Sequence, residues 1–537
     1  MEATSPRAGP RSGGRDIAMW LYPEVRDLGG FISYHARHTP DRRALVEGAR
    51  TISFGEYDRI ANRIAHGLLA LGVAPGERVG FLGLNTADFY FALTGTVRTR
   101  GAFTVFNWRL SIHELAQLIE DSRARVTMVE RGLEELWNAA VAQSGCQMDT
   151  IWFDGGDTIE ARFASQPEYS PNVLVSEEDT AIQIYTSGTT GMPKGVMLSH
   201  GGFNRIRLCE HLEPAYQWAD DDIFINPLPN FHLLSIGIAF QCLYNGVAVS
   251  IVRLFDPVIV LATIARDRPT LLTLTPTMIQ MLLDHPAAVE TDFSSLRLTL
   301  YAGSPISLGL IKRAIAQMPC EFMQFYGATE ANGAFSILRP NEHDLENEET
   351  LQSCGRPLPL IEFRIVDSSN NDVHDGEPGE LLVRSPAITA GYWNQPEVTA
   401  KVLANGWYHT GDVARRDATG LYYIVDRIKD MIVSGGENIY SAEVENCLST
   451  HPAIAAVAVI GVPDSRWGEA VKACVIARPG SKIDEAAVIA YARASLASYK
   501  VPKSVVFMES FPLVPSGKVS KKDLRAPFWE AEARGVA

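Results

Sequence analysis

One short segment, residues 185–195, restricts the possible folds of this chain more than any other. It reads Tyr-Thr-Ser-Gly-Thr-Thr-Gly-Met-Pro-Lys-Gly, with three glycines, four aliphatic hydroxyl side chains and one lysine. Apolar runs at 181–185 and 195–198 flank it, which predicts a strand, a loop and a second strand. Glycines let backbone N–H groups point toward one centre, and the lysine adds a mobile positive charge. The segment therefore has the chemistry of a polyphosphate-binding loop.

The loop differs from a Walker loop, which ends in Gly-Lys-Ser/Thr and opens a helix. Here Pro193 precedes Lys194, and an extended segment follows. A P-loop NTPase is therefore not expected. A flexible surface linker would share this composition, but the strand-like flanks and the single lysine favour a phosphate site. The residues predicted to bind the nucleotide here are Thr186, Ser187, Gly188, Thr189, Thr190, Gly191 and Lys194.

Length and charge limit the classes of function. The 537 residues exceed what one hydrophobic core usually serves, so two or more domains are expected. A net charge of −15 disfavours nucleic acid and anionic membranes as general partners. Seven scattered cysteines argue for a reducing compartment and against structural zinc. Residues 1–15 predict a disordered tail, no segment has the roughly 20 apolar residues of a transmembrane span, and a cytoplasmic location is expected.

Strand-like and helical patterns alternate along the chain, which predicts an α/β fold with parallel sheets. Residues 78–82 read as a buried strand and residues 87–97 as a helix. After a charged stretch at 426–430, a compact new pattern predicts a smaller α+β domain. Its predicted elements are helices at 441–448 and 484–498 and strands at 456–460, 472–477 and 504–508.

Polar residues follow two predicted strands downstream of the loop. Gly303 and Ser304 stand in a turn after the strand at 298–301, where α/β sheets place ligands. In the next segment, Tyr326 offers a flat face for adenine and Gly327 permits a close backbone approach. Thr329 and Glu330 follow at once and offer oxygens to phosphate and Mg²⁺, which prefers oxygen ligands.

A further pair of charged residues lies near position 420. The carboxylate of Asp412 has two acceptors that match a ribose diol, and Arg427 offers a rigid fork of donors for ribose or phosphate. Together with the motifs at 185–195 and 324–330, these residues resemble the AMP-binding signature of the adenylate-forming enzymes. That superfamily includes acyl-CoA and aryl-CoA synthetases, luciferase and peptide-synthetase adenylation domains. The resemblance covers roughly residues 30–525.

The resemblance implies a large AMP-binding domain at 16–427 and a mobile lid domain at 428–537. Lys429 would be the hinge, and Lys518 would be the catalytic lysine of the lid. His232 and Gly333 would border the acyl pocket. The segment implied to meet the pantetheine of CoA contains Gly435, Gly436 and Glu437.

The activity implied is that of an AMP-forming acid–CoA ligase. A carboxylate attacks the α-phosphorus of ATP to give acyl-AMP and pyrophosphate, and the thiol of CoA then displaces AMP. The first step brings two anions together, and at 4 Å each pair of unit charges repels by ~4 kcal/mol. Lys194, Lys518 and a Mg²⁺ ion on Glu330 would neutralise that charge. Rotation of the lid about Lys429 would then admit the thiol.

The sequence favours a hydrophobic acid, with a medium- or long-chain fatty acid as the first candidate. An aryl, arylalkanoic or steroid side-chain acid is the alternative, because Ser235, Gly237 and Gly333 leave room for a bulky group. An amino acid is disfavoured, since His232 stands where peptide-synthetase domains have an aspartate. Luciferase-like oxygenation would use the same site, and a homologue that binds ATP without catalysis is a remote alternative. Association as a homodimer stays open.

Overall fold

Helices and strands alternate along most of the chain, which confirms the predicted α/β class. The structure, a computed structural model, describes residues 25, 27–186, 193–435, 437–513 and 519–535. In these ranges the helices are α1 (Gly30–His38), α2 (Phe54–Ala70), α3 (Ala87–Val97), α4 (Ile112–Ser122), α5 (Glu134–Ser144), α6 (Ile159–Arg162), α7 (His200–His211), α8 (Leu233–Tyr244), α9 (Pro257–Asp267), α10 (Pro276–Asp284), α11 (Leu308–Gln317), α12 (Pro396–Val402), α13 (Ser441–Ser449), α14 (Glu485–Ser495) and α15 (Lys521–Gly535). The predicted tail at 1–15 lies outside the described residues.

The largest sheet within the described ranges has nine strands in the order β15-β14-β13-β12-β11-β9-β10-β1-β2. Its strands are β1 (Arg43–Glu47), β2 (Arg50–Ser53), β9 (Ile223–Asn226), β10 (Ala248–Ile251), β11 (Leu271–Leu274), β12 (Leu298–Ala302), β13 (Glu321–Ala328), β14 (Gly333–Leu338) and β15 (Arg356–Pro357). The pairings from β13 through to β1 are parallel, and β2, β14 and β15 add antiparallel edges. The central strands are buried, as parallel strands covered by helices should be.

A second sheet contains the two strands that flank the predicted phosphate loop. Among the described residues it has the order β18-β8-β7-β4-β3-β5-β6. The strands are β3 (Arg78–Leu82), β4 (Ala102–Val105), β5 (Val126–Glu130), β6 (Asp149–Phe153), β7 (Thr180–Thr186), β8 (Lys194–Ser199) and β18 (Gly391–Tyr392). β7 and β8 pair antiparallel, with Thr186 opposite Lys194, so the predicted strand flanks are confirmed.

A small antiparallel sheet lies before the predicted domain boundary. In the described part of the chain its order is β16-β17-β19-β20. Its strands are β16 (Glu362–Val366), β17 (Gly379–Arg384), β19 (Tyr408–Arg416) and β20 (Tyr422–Arg427). The β19–β20 register places Asp412 directly opposite Arg427.

The last hundred residues form an α+β unit with its own hydrophobic core, in which Val444, Leu448, Val459 and Val475 are buried together. Its described strands are β21 (Ile432–Ser434), β22 (Glu437–Ile439), β23 (Ile454–Asp464), β24 (Gly468–Ala477) and β25 (Ser504–Phe507). They pair in the order β22-β21-β24-β23, and β25 pairs with β24. The predicted helix at 484–498 ends earlier, at Ser495, and α15 was not predicted.

Helix α7 begins directly after β8 because Ser199 caps it. The Ser199 hydroxyl accepts a hydrogen bond from the backbone N–H of Gly202 at 3.1 Å, which satisfies one of the free donors of the first turn. Helix α7 packs against β8 and β14, and Arg207 of α7 reaches the Gly237 carbonyl of α8. None of the described helices is long and apolar enough to cross a membrane.

Candidate active site

Lys194 and Glu330 are brought together by a tyrosine that the sequence analysis did not identify. The Lys194 Nζ lies 5.0 Å from the ring centroid of Tyr392, within cation–π range. The Tyr392 hydroxyl donates a 2.8 Å hydrogen bond to Glu330 Oε1. Burial, together with the charge of Glu330, raises the pKa of Tyr392, so this hydroxyl stays a donor at neutral pH. One side chain thus connects the phosphate-loop lysine with the predicted metal ligand.

Strand β18 explains why Tyr392 reaches this position. It pairs with β8, placing Tyr392 opposite Val196, and the N–H of Trp393 donates to the carbonyl of Gly195 at 2.7 Å. The N–H of Thr389 donates to the backbone carbonyl of Glu330, also at 2.7 Å. Segment 389–393 therefore links the phosphate-loop strand to the Glu330 turn.

A second group of side chains lies on the other side of the same turn. The Tyr326 hydroxyl donates a 2.7 Å hydrogen bond to Asp412 Oδ2, and Arg427 Nε lies 3.3 Å from Asp412 Oδ1. The Asp412 residue is 9% exposed, whereas the Arg427 side chain is 54% exposed. Burial and the nearby Asp412 raise the pKa of Tyr326 well above its usual value. Tyr326, predicted as an adenine platform, therefore also orients the predicted ribose ligand.

The backbone beside Tyr326 is packed so closely that only glycine fits. The register of β13 and β14 shifts between Tyr326 and Gly327. A Cβ on Gly327 would lie 2.4 Å from the carbonyl oxygen of Gly333, and a Cβ on Gly333 would lie 2.9 Å from Ile206 Cγ1. Both distances are far below van der Waals contact. Gly327 thus permits the close approach of the next strand, β14, and its proposed approach to the nucleotide stays a prediction.

The turn predicted after β12 is present. Gly303 follows the last residue of β12 and has φ +93°, a conformation that favours glycine. Ser304 comes next. Thr329 and Glu330 begin a single 3₁₀ turn after β13, and Glu330 is buried. The carboxyl ends of the parallel strands β12 and β13 therefore carry these predicted residues at one edge of the sheet.

His232, which is predicted to border the acyl pocket, lies at the start of α8. It occupies the N-cap position of α8, and its ring packs against Phe231 with centroids 4.5 Å apart. Gly333, the other residue predicted to border this pocket, begins β14 and abuts Ile206 of α7. Of the two residues predicted to border the acyl pocket, His232 thus lies at the start of α8 and Gly333 lies against α7, and their role stays a prediction.

Two elements of the small unit contact the predicted hinge. The Lys429 carbonyl accepts a 2.9 Å hydrogen bond from Arg525 Nη1 of α15, and Arg525 also pairs with Asp430. The Asp426 carboxylate accepts a 2.8 Å bond from the Ser441 hydroxyl at the start of α13. Burial and the charge of Arg427 lower the pKa of Lys429.

The segment predicted to meet pantetheine is partly described. Gly435 has φ +61°, and its N–H donates to the carbonyl of Trp467 at 2.8 Å. A Cβ there would lie 2.8 Å from the Trp467 ring, so a glycine is required for two reasons. Glu437 is exposed and pairs with Ser434 in the β21–β22 ladder.

Comparison with known proteins identifies the family. A profile of the AMP-binding enzymes matches residues 32–393, which is more than half of the chain. The chain belongs to the AMP-binding enzyme family. A second profile, for the AMP-binding enzyme C-terminal domain, matches residues 443–518. The chain is thus an enzyme, and its relatives place it among the AMP-forming acid–thiol ligases.

Two relatives and one solved structure cover nearly the whole length of this AMP-binding enzyme. A fatty acid–[acyl-carrier-protein] ligase, ScoC, of Streptomyces coeruleorubidus is 36% identical over 96% of this chain and 99% of its own. A feruloyl-CoA synthase of an Amycolatopsis species is 38% identical over 93% and 99%. The crystal structure of an anthranilate CoA ligase, AuaEII, in complex with anthranoyl-AMP is 26% identical, with a TM-score of 0.87 over 97% of this chain and 100% of that one.

Several predicted site residues of this AMP-binding enzyme lie outside the described residues. In the phosphate loop these are Ser187, Gly188, Thr189, Thr190 and Gly191; elsewhere they are Gly436 and Lys518. Their roles stay predictions. On either side of the Lys518 segment, Leu513 and Val519 form an antiparallel bridge, and the Ser520 N–H donates to the Pro512 carbonyl at 2.8 Å.

The donor set around Glu330 fits a magnesium ion that is shared with phosphate. No group of three or more His, Cys, Asp or Glu side chains that could hold a metal by itself occurs among the described residues. Mg²⁺ typically keeps several waters and binds through one or two carboxylates together with substrate phosphates. The single carboxylate of Glu330, with the hydroxyl of Thr329 beside it, matches that requirement.

Proposed function

We propose that this enzyme is an ATP-dependent acid–CoA ligase that converts a hydrophobic carboxylic acid to its acyl-AMP and then to its CoA thioester. The observation that carries this proposal is the arrangement at the end of β13. Glu330 is linked through Tyr392 to Lys194, and Tyr326 is linked to Asp412 and Arg427. A lysine, two carboxylates and an arginine thus surround one short segment. Such a set suits a nucleotide with its ribose at one end and its phosphates at the other.

Each side chain has a distinct proposed role in binding ATP. Lys194 binds the β- and γ-phosphates, and Asp412 accepts hydrogen bonds from the ribose hydroxyls. Arg427, whose side chain is largely exposed, donates to ribose or phosphate. The ring of Tyr326 contacts the adenine. The remaining phosphate donors are the backbone and hydroxyl groups of the loop at 187–192.

Magnesium would be held by Glu330 and the phosphates. When bound, the ion would neutralise negative charge on the pyrophosphate leaving group. The chain contributes the orientation of the ligand, because the Tyr392 hydroxyl fixes one oxygen of the Glu330 carboxylate. Thr329, the residue before Glu330, supplies a neutral oxygen.

The second half-reaction needs a different arrangement of the small unit, and we propose that this unit rotates about Lys429. Lys518 would neutralise the carboxylate and α-phosphate in the first step and then leave. Gly435, Gly436 and Glu437 would border the thiol's path in the second. The separate hydrophobic core of residues 432–505 supports a division near residue 428, since it gives this unit a basis for moving as one body.

The identity of the acid is the finer part of the proposal. A medium- or long-chain fatty acid stays the first prediction, and the fatty acid ligase among the relatives supports it. An aryl, arylalkanoic or steroid side-chain acid is the alternative, and the feruloyl-CoA and anthranilate relatives support an aryl acid among these. The cytoplasmic location and the homodimer stay predictions.

A pyrophosphate-release assay over fatty, aryl and steroid side-chain acids tests the proposal. The expected products are AMP and pyrophosphate with an active acid, and AMP, pyrophosphate and a thioester when CoA is added. Parallel reactions with a phosphopantetheinylated acyl-carrier protein in place of CoA identify the thiol acceptor. Formation of ADP and phosphate, or no acid-dependent release with any class, would refute the proposed reaction.

A further inference from the structure

Four polar side chains form a hydrogen-bonded chain between the second sheet and α4. Arg78 Nε donates to Gln183 Oε1 at 3.0 Å, and the Gln183 amide nitrogen donates to the Tyr185 hydroxyl at 2.9 Å. That hydroxyl donates in turn to Asp121 Oδ2 of α4 at 2.7 Å. Arg78 and Gln183 are both buried. The guanidinium of Arg78 is thus connected to the carboxylate of Asp121 through two neutral side chains.

Trp393 contacts both ends of this chain. The guanidinium carbon of Arg78 lies 3.3 Å from the centroid of the Trp393 ring, so the charge stacks on the face of the indole. The indole N–H donates to the backbone carbonyl of Asp121 at 3.0 Å. A cation–π contact on its face and a hydrogen bond at its edge therefore fix the orientation of Trp393. These five side chains form the Arg78 cluster: Arg78, Asp121, Gln183, Tyr185 and Trp393.

The alternation of side chains along β7, β8 and β18 places the Arg78 cluster directly behind the nucleotide residues. Successive side chains of a strand point to opposite faces of the sheet. The register of the three strands puts Lys194 and Tyr392 on one face and Gln183 and Tyr185 on the other. Trp393 follows Tyr392 and therefore lies on the face of Gln183, where its backbone N–H still donates to the strand β8.

An apolar cluster would be enough to hold these strands together. Close by, Leu115 and Ile119 of α4 lie in one apolar cluster with Val129 of β5. Buried polar groups cost free energy unless they are paired, whereas a fully paired network fixes one arrangement of its side chains. Each member of the Arg78 cluster has a hydrogen-bond partner. The cluster is therefore suited to fix the position of the strands precisely.

Tyr392 is the nucleotide-side residue whose position depends most on Trp393. Its hydroxyl must stay 2.8 Å from Glu330 Oε1 while its ring stays 5.0 Å from the Lys194 Nζ. The strand β18 that carries Tyr392 has only two residues, so few ladder hydrogen bonds hold it. A backbone shift at the adjacent Trp393 would move both contacts. Misplacement of a catalytic group by about 1 Å can lower a rate roughly 100-fold.

We propose that Arg78 and Trp393 are positioning residues for adenylation: their stack fixes Tyr392, and Tyr392 in turn orients Glu330 toward the magnesium–phosphate group. This inference rests on the proposed function. It deepens that function by assigning a role in the first half-reaction to two residues on the face of the sheet away from the nucleotide. Both residues act through Tyr392 and not on the substrates directly.

Single variants measure the effect of the stack. Arg78→Met keeps an unbranched apolar side chain but removes the guanidinium, and Trp393→Leu removes the ring. We expect each to lower the kcat/KM for ATP in acid-dependent pyrophosphate release by about tenfold or more. Conversion of supplied acyl-AMP with CoA should stay near the wild-type rate, because pyrophosphate takes no part in it. Trp393→Phe, which keeps a ring for the guanidinium, should retain more adenylation activity than Trp393→Leu.

A double-mutant cycle shows whether the stack acts through Tyr392. If it does, adding Arg78→Met or Trp393→Leu to Tyr392→Phe should lower the kcat/KM by less than about twofold further, because the hydrogen bond that the stack orients is already absent. The dissociation constant of MgATP without acid, measured by calorimetry, gives the same cycle without turnover. A purely structural role would lower the melting temperature, slow both half-reactions equally and make the losses multiply. That result would overturn the inference.

Arg415→Met is the matched control, because Arg415 stacks on the ring of Tyr423 at 4.0 Å, away from the site. It should match the wild type in both half-reactions. Wild-type adenylation by Arg78→Met and Trp393→Leu would leave the ligase in place and refute the positioning role. A wild-type enzyme without acid-dependent pyrophosphate release would count against the proposed function, and the MgATP cycle would still test the stack. Arg78→Met decides the question if Trp393→Leu does not fold.

Discussion

Removing the hydroxyl of Tyr392 tests whether the link between Lys194 and Glu330 serves adenylation. Tyr392→Phe keeps the ring that faces Lys194 at 5.0 Å and deletes only the 2.8 Å hydrogen bond to Glu330. Hydrogen bonds to charged groups contribute about 1.5–3 kcal/mol. If that contribution orients Glu330 for the magnesium–phosphate group in the transition state, the loss corresponds to a roughly 10- to 100-fold lower rate.

The assay separates the two half-reactions. Acid-dependent pyrophosphate release gives kcat/KM for ATP in the first, and conversion of supplied acyl-AMP with CoA gives the second. We expect the kcat/KM of adenylation to fall roughly 10- to 100-fold and the rate of thioester formation to change little. The reason is that Glu330 is proposed to act on the phosphates that leave as pyrophosphate.

A matched control is available in the same protein. The Tyr423 hydroxyl donates a 2.9 Å hydrogen bond to Asp417 at the β19–β20 turn, so Tyr423→Phe removes a similar tyrosine–carboxylate bond away from the site. Adenylation by Tyr423→Phe should match the wild type. Wild-type adenylation by Tyr392→Phe, or an equal loss in both variants, would refute the reasoning.

Three further predictions use other residues. Lys518→Ala should nearly abolish pyrophosphate release while conversion of supplied acyl-AMP to the thioester persists. Gly327→Ala should lower the free energy of unfolding by at least about 2 kcal/mol, read as a lower melting temperature, because its Cβ would lie 2.4 Å from the Gly333 carbonyl oxygen. Burial lowers the pKa of His343 to about 4, so the unfolded chain binds its proton first as the pH falls below 6.5. Protonation of His343 in the unfolded chain should therefore lower the free energy of unfolding by about 2 kcal/mol between pH 7.5 and pH 5. In urea unfolding, the free energy of His343→Gln should fall by about 2 kcal/mol less over the same range.

Each of these predictions has a control. Lys522→Ala, on an exposed position of α15, should keep both half-reactions, and equal loss of both in Lys518→Ala would contradict the proposed division of roles. Gly309→Ala has no atom within 4 Å of its new Cβ and should be neutral, so a harmless Gly327→Ala would contradict the packing argument. The exposed His374→Gln should show the wild-type pH dependence. An identical dependence in His343→Gln would mean that this histidine does not contribute.

The elements around the phosphate loop could be predicted because their signals are local. Apolar runs on both sides of a glycine-rich segment specify β7 and β8, and Gly303 marks the end of β12. The strand at 78–82 and the helix at 87–97 agree with β3 and α3 residue for residue. In each case neighbours within a few positions determine the conformation, so one sequence contains the information.

The parts that could not be predicted depend on contacts between distant segments. Tyr392 lies 62 positions after Glu330 and reaches it only because β18 pairs with β8. The signal available in the sequence was a glycine, Gly391, before two aromatic residues, and it does not specify the segment with which they pair. Arg207 and Glu210 have the i, i+3 spacing of an ordinary surface pair, and only the packing of α7 against its neighbours buries them.

Helix α15 was missed for a different reason. Pro527 lies inside it, and the segment is rich in charged residues, so neither a regular apolar stripe nor a clean boundary marks it. The helix is nevertheless tied to the rest of the small unit, since Lys521 Nζ donates to the Ser441 hydroxyl at 2.6 Å and pairs with Glu445. Its contact through Arg525 with the Lys429 carbonyl could be found only from the structure.

The hydrogen bond between Asp426 and Ser441 affects the equilibrium between the two proposed orientations of the small unit. Asp426 is the last residue but one of β20, before the proposed pivot, and Ser441 begins α13 after it, so a rotation about Lys429 would separate them. A buried hydrogen bond to a carboxylate contributes about 1.5–3 kcal/mol, which corresponds to a population ratio of roughly 10 to 100. The release of pyrophosphate and the binding of a thiol need to supply slightly more than this free energy to make the rotated orientation the more populated one. The hydrogen bond from Ser441 to Asp426 would then fix the orientation of the small unit in the resting enzyme. Its modest free energy would still allow the unit to rotate in every catalytic cycle.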